Sequence, residues 1–324
     1  MHAIIPAAGL GTRLRPLTHT TPKALLPVAG KPIIGHILDL LAPAGVDRIT
    51  LVTGHLGSEI ARWVKSNYSF ETFAVEQTSL DGLASAVAMA EPNTDDGPTL
   101  VVLADTLFTA DLSALRGERR NMLAVSRVDD PSRFGVVVES GGAVRKLVEK
   151  PAEFISDLAI VGVYYFTNGL EMIGACRELM MSGTRTRGEF QLTDAMQMML
   201  GRGAPFGMFT VSDWFDCGKP ETLLQTNAAL LDRAGGNCRE IAGSTVVPPV
   251  HVAAGASIEG CLIGPHASIG AGCSLKGCIV RNSILSEGCI LESAFLDGSI
   301  LGRGASITGR PLALSIGDSS SLLV

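Results

Sequence analysis

Up to about Leu231 the chain alternates short, β-branched apolar runs with stretches whose apolar positions recur at helical spacing. Residues 3–8 and 99–103 are almost uninterrupted apolar runs, the pattern of strands covered on both faces. Between them the pattern predicts a helix over residues 33–41 after Pro32 and a strand over 49–53. A helix over 58–65, a strand over 72–76 and a helix over 83–90 follow. Such alternation implies a parallel α/β sheet with its ligands at the carboxyl ends of the strands. Residues 134–139, 143–149 and 161–166 look instead like hairpins or a sheet edge, so a mixed sheet is expected.

After Ala234-Gly235-Gly236 the helical period disappears. Aliphatic residues then recur every five or six positions: Val246, Val252, Ile258, Ile263, Ile269 and Leu275, with less regular copies at Ile284, Ile290, Ile300 and Ile307. Glycine and small residues fill the gaps. Hexapeptide repetition of this kind predicts a parallel β-helix in which each aliphatic side chain points into a narrow core. The expected division is therefore residues 1–235 and residues 236–324. Cys261, Cys273, Cys278 and Cys289 fall within the repeats and read as small core or corner residues.

Composition narrows the functional classes. The 324 residues are 46% hydrophobic and 18% charged, with a formal net charge of −6, which argues against general affinity for nucleic acid or anionic membrane. Phosphate chemistry would therefore need a local cluster of cations. The seven cysteines contain no Cys-x-x-Cys pair, so neither a zinc site nor a disulfide framework is expected. The amino terminus shows no basic segment followed by an apolar one, and no apolar run reaches membrane-spanning length; a cytoplasmic protein is the expectation.

The candidate chemistry begins after the first strand. Ala7-Ala8-Gly9-Leu10-Gly11-Thr12-Arg13-Leu14 fails the dinucleotide fingerprint, since Leu14 stands where the third glycine belongs, and it lacks the Gly-Lys-Ser/Thr of Walker A. Pro16, Pro22 and Pro27 break any helix that might follow, which predicts an extended loop carrying Arg13, Arg15 and Lys23. Glycines allow main-chain N–H groups to approach an anion, and the cations can neutralise phosphates. On its own, an ordinary glycine turn beside solvated cations explains this segment better.

Read as one string, Gly9-Leu10-Gly11-Thr12-Arg13-Leu14-Arg15-Pro16-Leu17-Thr18 with Pro22-Lys23-Ala24-Leu25-Leu26-Pro27-Val28 and Gly30-Lys31-Pro32 strongly resembles the signature of sugar-phosphate nucleotidyltransferases. Further matches recur in order: Gln77-Thr78-Ser79-Leu80-Asp81-Gly82-Leu83-Ala84, Ala104-Asp105, Phe134-Gly135-Val136, Glu149-Lys150-Pro151, Gly162-Val163-Tyr164, Gly188–Asp194 and Trp214-Phe215-Asp216-Cys217-Gly218. They cover roughly the first two-thirds of the chain. With the hexapeptide repeats, the whole resembles the long members of the family, of the glucose-1-phosphate thymidylyltransferase kind. The resemblance implies a Rossmann-like mixed-sheet catalytic domain followed by a left-handed β-helix.

It also implies roles. Arg13 would contact the leaving phosphates, and Lys23 would bridge the α-phosphate and the incoming oxygen; Arg15 stays open. Ala8, Gly9, Gly11, Thr12, Gln77 and Gly82 would hold the nucleotide, with Gln77 reading a pyrimidine through its paired donor and acceptor. Gly135, Glu149, Lys150 and Gly162 would hold the sugar phosphate. Asp105 and Asp216 would bind Mg²⁺, which prefers oxygen ligands and shares substrate phosphates. Ala104 and Phe134 depart from the glycine and tyrosine usual at their positions. The expected substrates are dTTP or UTP and glucose 1-phosphate or a close relative. A mannose-1-phosphate guanylyltransferase or a bifunctional acetyltransferase is the alternative. His36, His55 and His251 have no metal-ligand spacing and read as structural; His266 reads as a corner residue. The repeats are expected to support a homo-oligomer rather than the chemistry.

Overall fold

The computed structural model describes residues 1–237 and 240–310. Its organising element is β1 (His2–Ala7), where Ala3, Ile4 and Ile5 are all fully buried. Buried residues in succession mean that both faces of the strand are covered, as the unbroken apolar run required. Parallel partners flank it, with Ile4 opposite Thr50 of β4 (Arg48–Thr53) and opposite Val101 of β6 (Thr99–Val102).

Between β1 and β4 lie the two-residue strands β2 (Pro27–Val28) and β3 (Lys31–Pro32) and helix α1 (Ile33–Leu41). Helix α2 (Gly57–Asn67), strand β5 (Glu71–Glu76) and helix α3 (Leu83–Ala88) precede β6. Then come β7 (Thr106–Phe108), β8 (Asn121–Arg127), β9 (Gly135–Ser140), β10 (Ala143–Glu149) and β11 (Leu158–Phe166). Helices α4 (Gly169–Ser182) and α5 (Leu192–Gly201), strands β12 (Phe206–Thr210) and β13 (Trp214–Asp216) and helix α6 (Pro220–Ala234) complete this part. The main sheet runs β10-β9-β11-β6-β1-β4-β5, with β8 paired to β11 and β12. Strands β6, β1, β4 and β5 are mutually parallel, whereas β11 is antiparallel to β6, β8 and β9. The mixed sheet read from the sequence is thus present, and α1 spans the predicted residues.

The glycine-containing loop departs from the expected extended form. It folds into three single 3₁₀ turns, Thr12–Leu14, Leu17–His19 and Lys23–Leu25. Pro16 and Pro22 stand immediately before the second and third turns, so the prolines separate short turns instead of abolishing helical geometry.

Contacts divide the chain into two compact units, Met1–Pro27 with Lys31–Leu223, and Val28–Gly30 with Leu224–Val324. The second unit contains three four-stranded parallel sheets whose strands recur in strict rotation, the stacked walls of a left-handed β-helix. Val252, Ile258, Ile263, Ile269 and Leu275 line its core. Farther along, the sequence reading slips by one residue. Ile290 is 55% exposed while Leu291 is buried; Ile284 pairs with Ser268 and Ile300 with Ile284, one position off the inner row held by Leu285 and Leu301. The cause lies in adjacent aliphatic residues: each of these isoleucines is followed by a leucine, and only the leucine stacks in the inner row.

The four repeat cysteines are all buried. Each stands just before a strand, with Cys261 and Cys278 preceding one wall and Cys273 and Cys289 another. His266 has a left-handed φ of 57° at such a corner, and its Nε2 lies 2.9 Å from Asp232 Oδ1. Among the described residues, no helix is long and apolar enough to cross a membrane.

The register can be checked on adjacent residues. Ile263→Ala should cost about 2–5 kcal/mol by emptying core volume. Leu262→Ala, one residue away on the outer surface, should cost about 0.5 kcal/mol. Denaturation midpoints of the two variants measure the contrast; equal losses would contradict the inward assignment.

Candidate active site

The carboxyl ends of β1 and β6 place two loops side by side. From the first, Arg13 and Lys23 reach a cavity of about 600 Å³ that is also lined by Ala8, Gly9, Gln77, Gly82, Asp105 and Lys150. A second cavity of about 380 Å³ contains Gly135, Glu149, Gly162 and Asp216. Arg13, Asp105 and Lys150 line both cavities. Cations therefore stand where the two spaces meet.

Asp105 follows β6, and its Oδ2 accepts a hydrogen bond from Lys23 Nζ at 2.7 Å. Only 11% of the Lys23 side chain is exposed, so this pairing offsets the cost of holding an ammonium in a cleft. The carboxylate is the more open partner, at 45%, and can accept further ligands. Asp216 arrives from far along the chain because β13 pairs antiparallel with β7, Asp216 opposite Thr106. The Cys217 N–H then donates to the Asp105 carbonyl, securing the two segments. Gly218 completes the arrangement. A side chain there would lie 2.7 Å from both an Asp216 carboxylate oxygen and an Arg13 guanidinium nitrogen, so the glycine leaves room for both.

These groups fit a divalent cation of the magnesium type. Among the described residues no cluster of three or more His, Cys, Asp or Glu could enclose a metal. Two carboxylates in an open cleft leave coordination positions for water and phosphate oxygens, as Mg²⁺ requires.

In the larger cavity, Gln77 is only 7% exposed and follows β5; its main-chain N–H donates to the Thr53 carbonyl. Gly82 has a φ of 117°, and a Cβ there would lie 2.5 Å from the Phe190 carbonyl oxygen. The glycine thus serves the packing of the 81–84 segment against Phe190, which bonds Asp81 and Ala84 through its main chain. Gly11 and Thr12 line neither cavity. Gly11 instead makes the loop: in a left-handed conformation, it accepts the Thr18 hydroxyl at 2.8 Å. Arg15 is exposed and also lies outside both cavities.

On the other side, Glu149 Oε2 accepts from the Thr193 hydroxyl at 2.7 Å, and Glu149 Oε1 lies 3.4 Å from Lys150 Nζ. Gly135 allows this pair, since a Cβ would sit 2.7 Å from Thr193 Oγ1 and 2.9 Å from Glu149 Oε2. Lys150 itself has φ 42°, a strained setting for a non-glycine residue, and is held by its N–H to the Phe134 carbonyl. Gly162 lies within the register shift of β11, where its carbonyl accepts from Leu103 N–H. Burial, with the carboxylates of Glu149 and Asp105 nearby, raises the Tyr164 phenol above its ordinary range and keeps it protonated.

Several lining residues carried no signal that the sequence could weigh individually. Thr193 and Trp214 lie inside quoted motifs, but only the fold turns them toward the second cavity. The Trp214 indole N–H is buried without a protein acceptor, and its ring packs edge-on against Phe134 at 4.8 Å. Arg187, at φ 53°, donates to the Lys150 carbonyl and brings another cation to that residue.

The close approach at Gly82 generates a direct expectation. Gly82→Ala should push the 81–84 segment off Phe190, lowering stability by about 1–3 kcal/mol for a strained backbone. It should also weaken whatever occupies the larger cavity. Thermal unfolding together with ligand titration measures this, and a variant normal in both would place Phe190 elsewhere.

Known proteins have related sequences, and a solved structure has a related fold. Glucose-1-phosphate thymidylyltransferase of Streptomyces antibioticus is 32% identical, over 95% of this chain and 94% of its own length. UTP--glucose-1-phosphate uridylyltransferase AglF of Haloferax volcanii is 33% identical, over 68% of this chain and 93% of its own. A UDP-glucose pyrophosphorylase solved with UDP-glucose superposes with a TM-score of 0.62 and 25% identity, covering 72% of this chain and 98% of that one. The nucleotidyl transferase family model matches residues 2–233, which include every lining residue of both cavities. The chain belongs to the nucleotidyl transferase family.

Proposed function

We propose that this protein joins a pyrimidine nucleoside triphosphate, dTTP or UTP, to glucose 1-phosphate or a close relative, releasing pyrophosphate. The observation that carries the reading is the meeting of two cavities at Arg13, Asp105 and Lys150. A nucleotide and a sugar phosphate are both anionic at their reacting ends. A two-chambered cleft with cations at the join is what bringing those ends together requires.

The sugar-phosphate oxygen is already anionic near neutral pH, so no general base is needed for its in-line attack on the α-phosphorus. Catalysis then consists of positioning and of neutralising the charge that gathers on the departing pyrophosphate. Arg13 suits the leaving phosphates, because its planar guanidinium can pair two oxygens at once. Lys23, held against Asp105, suits the α-phosphate as a point charge. Lys150 supports the sugar phosphate, with Glu149 presenting carboxylate oxygens to hydroxyls beyond it and Thr193 orienting that carboxylate. The unpaired Trp214 donor also favours a ligand rich in oxygen on this side. Asp105 and Asp216 would hold Mg²⁺, which supplies charge neutralisation to the triphosphate. Gln77, nearly buried at the edge of the larger cavity, can match the donor–acceptor edge of a pyrimidine.

Pyrophosphate release measured over a panel of nucleoside triphosphates crossed with sugar 1-phosphates tests the reading, and release with no pair would overturn it. Asp105→Asn should lower turnover by at least ~10²-fold while leaving the fold intact, the scale for losing one preorganised electrostatic contact. Near-normal turnover with unchanged metal dependence would remove Asp105 from the site. Gln77→Ala should raise KM for the pyrimidine nucleotide and relax discrimination against purines by about 1–3 kcal/mol. Selectivity unchanged across four nucleotides would deny Gln77 a role in base choice.

A further inference from the structure

The segment that carries Gln77 and Gly82 is held near its two ends. At the first, the Gln77 N–H bonds the Thr53 carbonyl; residues 78–80, which follow, are exposed. The far end is fixed by Phe190, whose N–H donates to the Asp81 carbonyl at 2.7 Å and whose carbonyl accepts from the Ala84 N–H at 2.9 Å. Phe190 itself leaves a tight hairpin. Thr186 and Glu189 exchange main-chain hydrogen bonds at 3.0 and 3.2 Å, and Arg187 and Gly188 between them have φ of 53° and 85°. Two successive left-handed residues are what a two-residue hairpin demands.

Arg185 clasps this hairpin to the segment. Its guanidinium lies over the Phe190 ring, 4.0 Å from the centroid, and its Nη1 donates to the Gly188 carbonyl at 2.9 Å. Both terminal nitrogens lie 3.3 Å from Asp81 Oδ1. A planar cation can stack on a ring and pair a carboxylate at once, which a lysine cannot. The other Asp81 oxygen accepts from the Ser79 hydroxyl at 2.6 Å, which steadies the carboxylate. Both side chains of the ion pair are 39% exposed, so the pair alone is worth little; the ring and the Gly188 carbonyl add to it.

The same hairpin reaches the second cavity. Arg187 donates to the Lys150 carbonyl at 3.2 Å, where the two spaces meet. Glu189 lines the larger cavity, and its Oε2 accepts at 2.9 Å from Nε2 of Gln191, which lines the smaller. One short turn of chain is therefore bonded both to the segment of Gln77 and to Lys150.

We propose that the hairpin over residues 185–190 couples the two cavities, and that Arg185 is the positioning residue that carries the coupling. A sugar phosphate held at Lys150 sets the hairpin, and the Arg185–Asp81 clasp passes that setting to residues 77–82. The proposal rests on the roles given to Lys150 and Gln77 under Proposed function. Arg185 lines neither cavity, so its effect falls on how the two ligands influence one another. Linkage requires that influence to be equal in both directions.

The test uses the full chain with Mg²⁺. Calorimetry measures glucose 1-phosphate and the α,β-methylene analogue of UTP or dTTP, whose bridging carbon prevents release of the leaving group, each alone and in the presence of the other. In the unsubstituted chain each ligand should tighten the other by the same factor, about fivefold, at the low end for coupled sites because the clasp is half exposed. Arg185→Ala should bring that factor below about twofold and leave the Kd of glucose 1-phosphate alone within about twofold. A residue that only stabilised the fold would weaken each ligand and leave the factor unchanged. Asp81→Asn removes the other half of the clasp and should reproduce the loss, with nothing further lost when the two substitutions are combined. It also decides the matter if Arg185→Ala does not fold. Independent binding of the two ligands to the unsubstituted chain, or a factor that survives both substitutions, would overturn the proposal and leave the two-substrate reading in place. Failure of either ligand to bind the unsubstituted chain, alone or with the other, would instead overturn that reading, and the proposal with it.

Discussion

The pairing of Lys23 with Asp105 at 2.7 Å is the interaction around which the site is assembled. It joins the glycine-containing loop after β1 to the carboxyl end of β6, two neighbouring strands of the parallel core. An ammonium exposed by only 11% would be costly alone, and a carboxylate at a strand end would repel any anion beside it. Held together, each makes the other tolerable, and the pair keeps a cation in place in the cleft. The antiparallel contact of β7 with β13 then adds Asp216 beside Arg13, giving the cleft both signs of charge.

Small residues determine how tightly the walls close. Gly135 admits the Thr193–Glu149 hydrogen bond, Gly218 admits Arg13 beside Asp216, and Gly82 admits the Phe190 main chain. None of the three contributes a functional group. Each removes a side chain that would separate two groups meant to touch. The strained φ of Lys150 belongs to the same scheme, since its N–H bond to Phe134 and its carbonyl bond from Arg187 fix a cation where two cavities meet.

The two units share a physical logic despite their different grammars. In the first, parallel strands buried on both faces leave only their carboxyl ends free to meet a ligand. In the second, the inner row of the stacked coils is apolar, and polar commitments such as those of Asn227 lie away from it. The hairpin turn at residues 28–30 follows the second logic while its flanks follow the first. A main-chain amide of that turn accordingly bonds an asparagine about two hundred residues later.

Local pattern determined a good deal of this. Apolar runs and helical spacing were enough for β1, α1, β6 and the mixed sheet, because burial on one or both faces leaves a period that any window of sequence displays. The five- and six-residue period announced the β-helix for the same reason. It misplaced Ile284, Ile290 and Ile300, since each is followed by a leucine and an apolar pattern does not choose which of two adjacent aliphatic residues faces inward. Motif residues Arg13, Lys23, Gln77, Asp105, Glu149 and Lys150 were legible as types at fixed spacing, and the fold brings all six to the cleft. Gly11 and Thr12 were legible too, and Gly11 takes a left-handed turn that accepts the Thr18 hydroxyl. What only tertiary structure decided are the partnerships across long separations: Lys23 with Asp105, Thr193 with Glu149, Gly82 with Phe190, and Ala29 with Asn227. A linear pattern records which face of an element is buried, whereas the choice of partner across that face depends on how strands and coils stack in three dimensions.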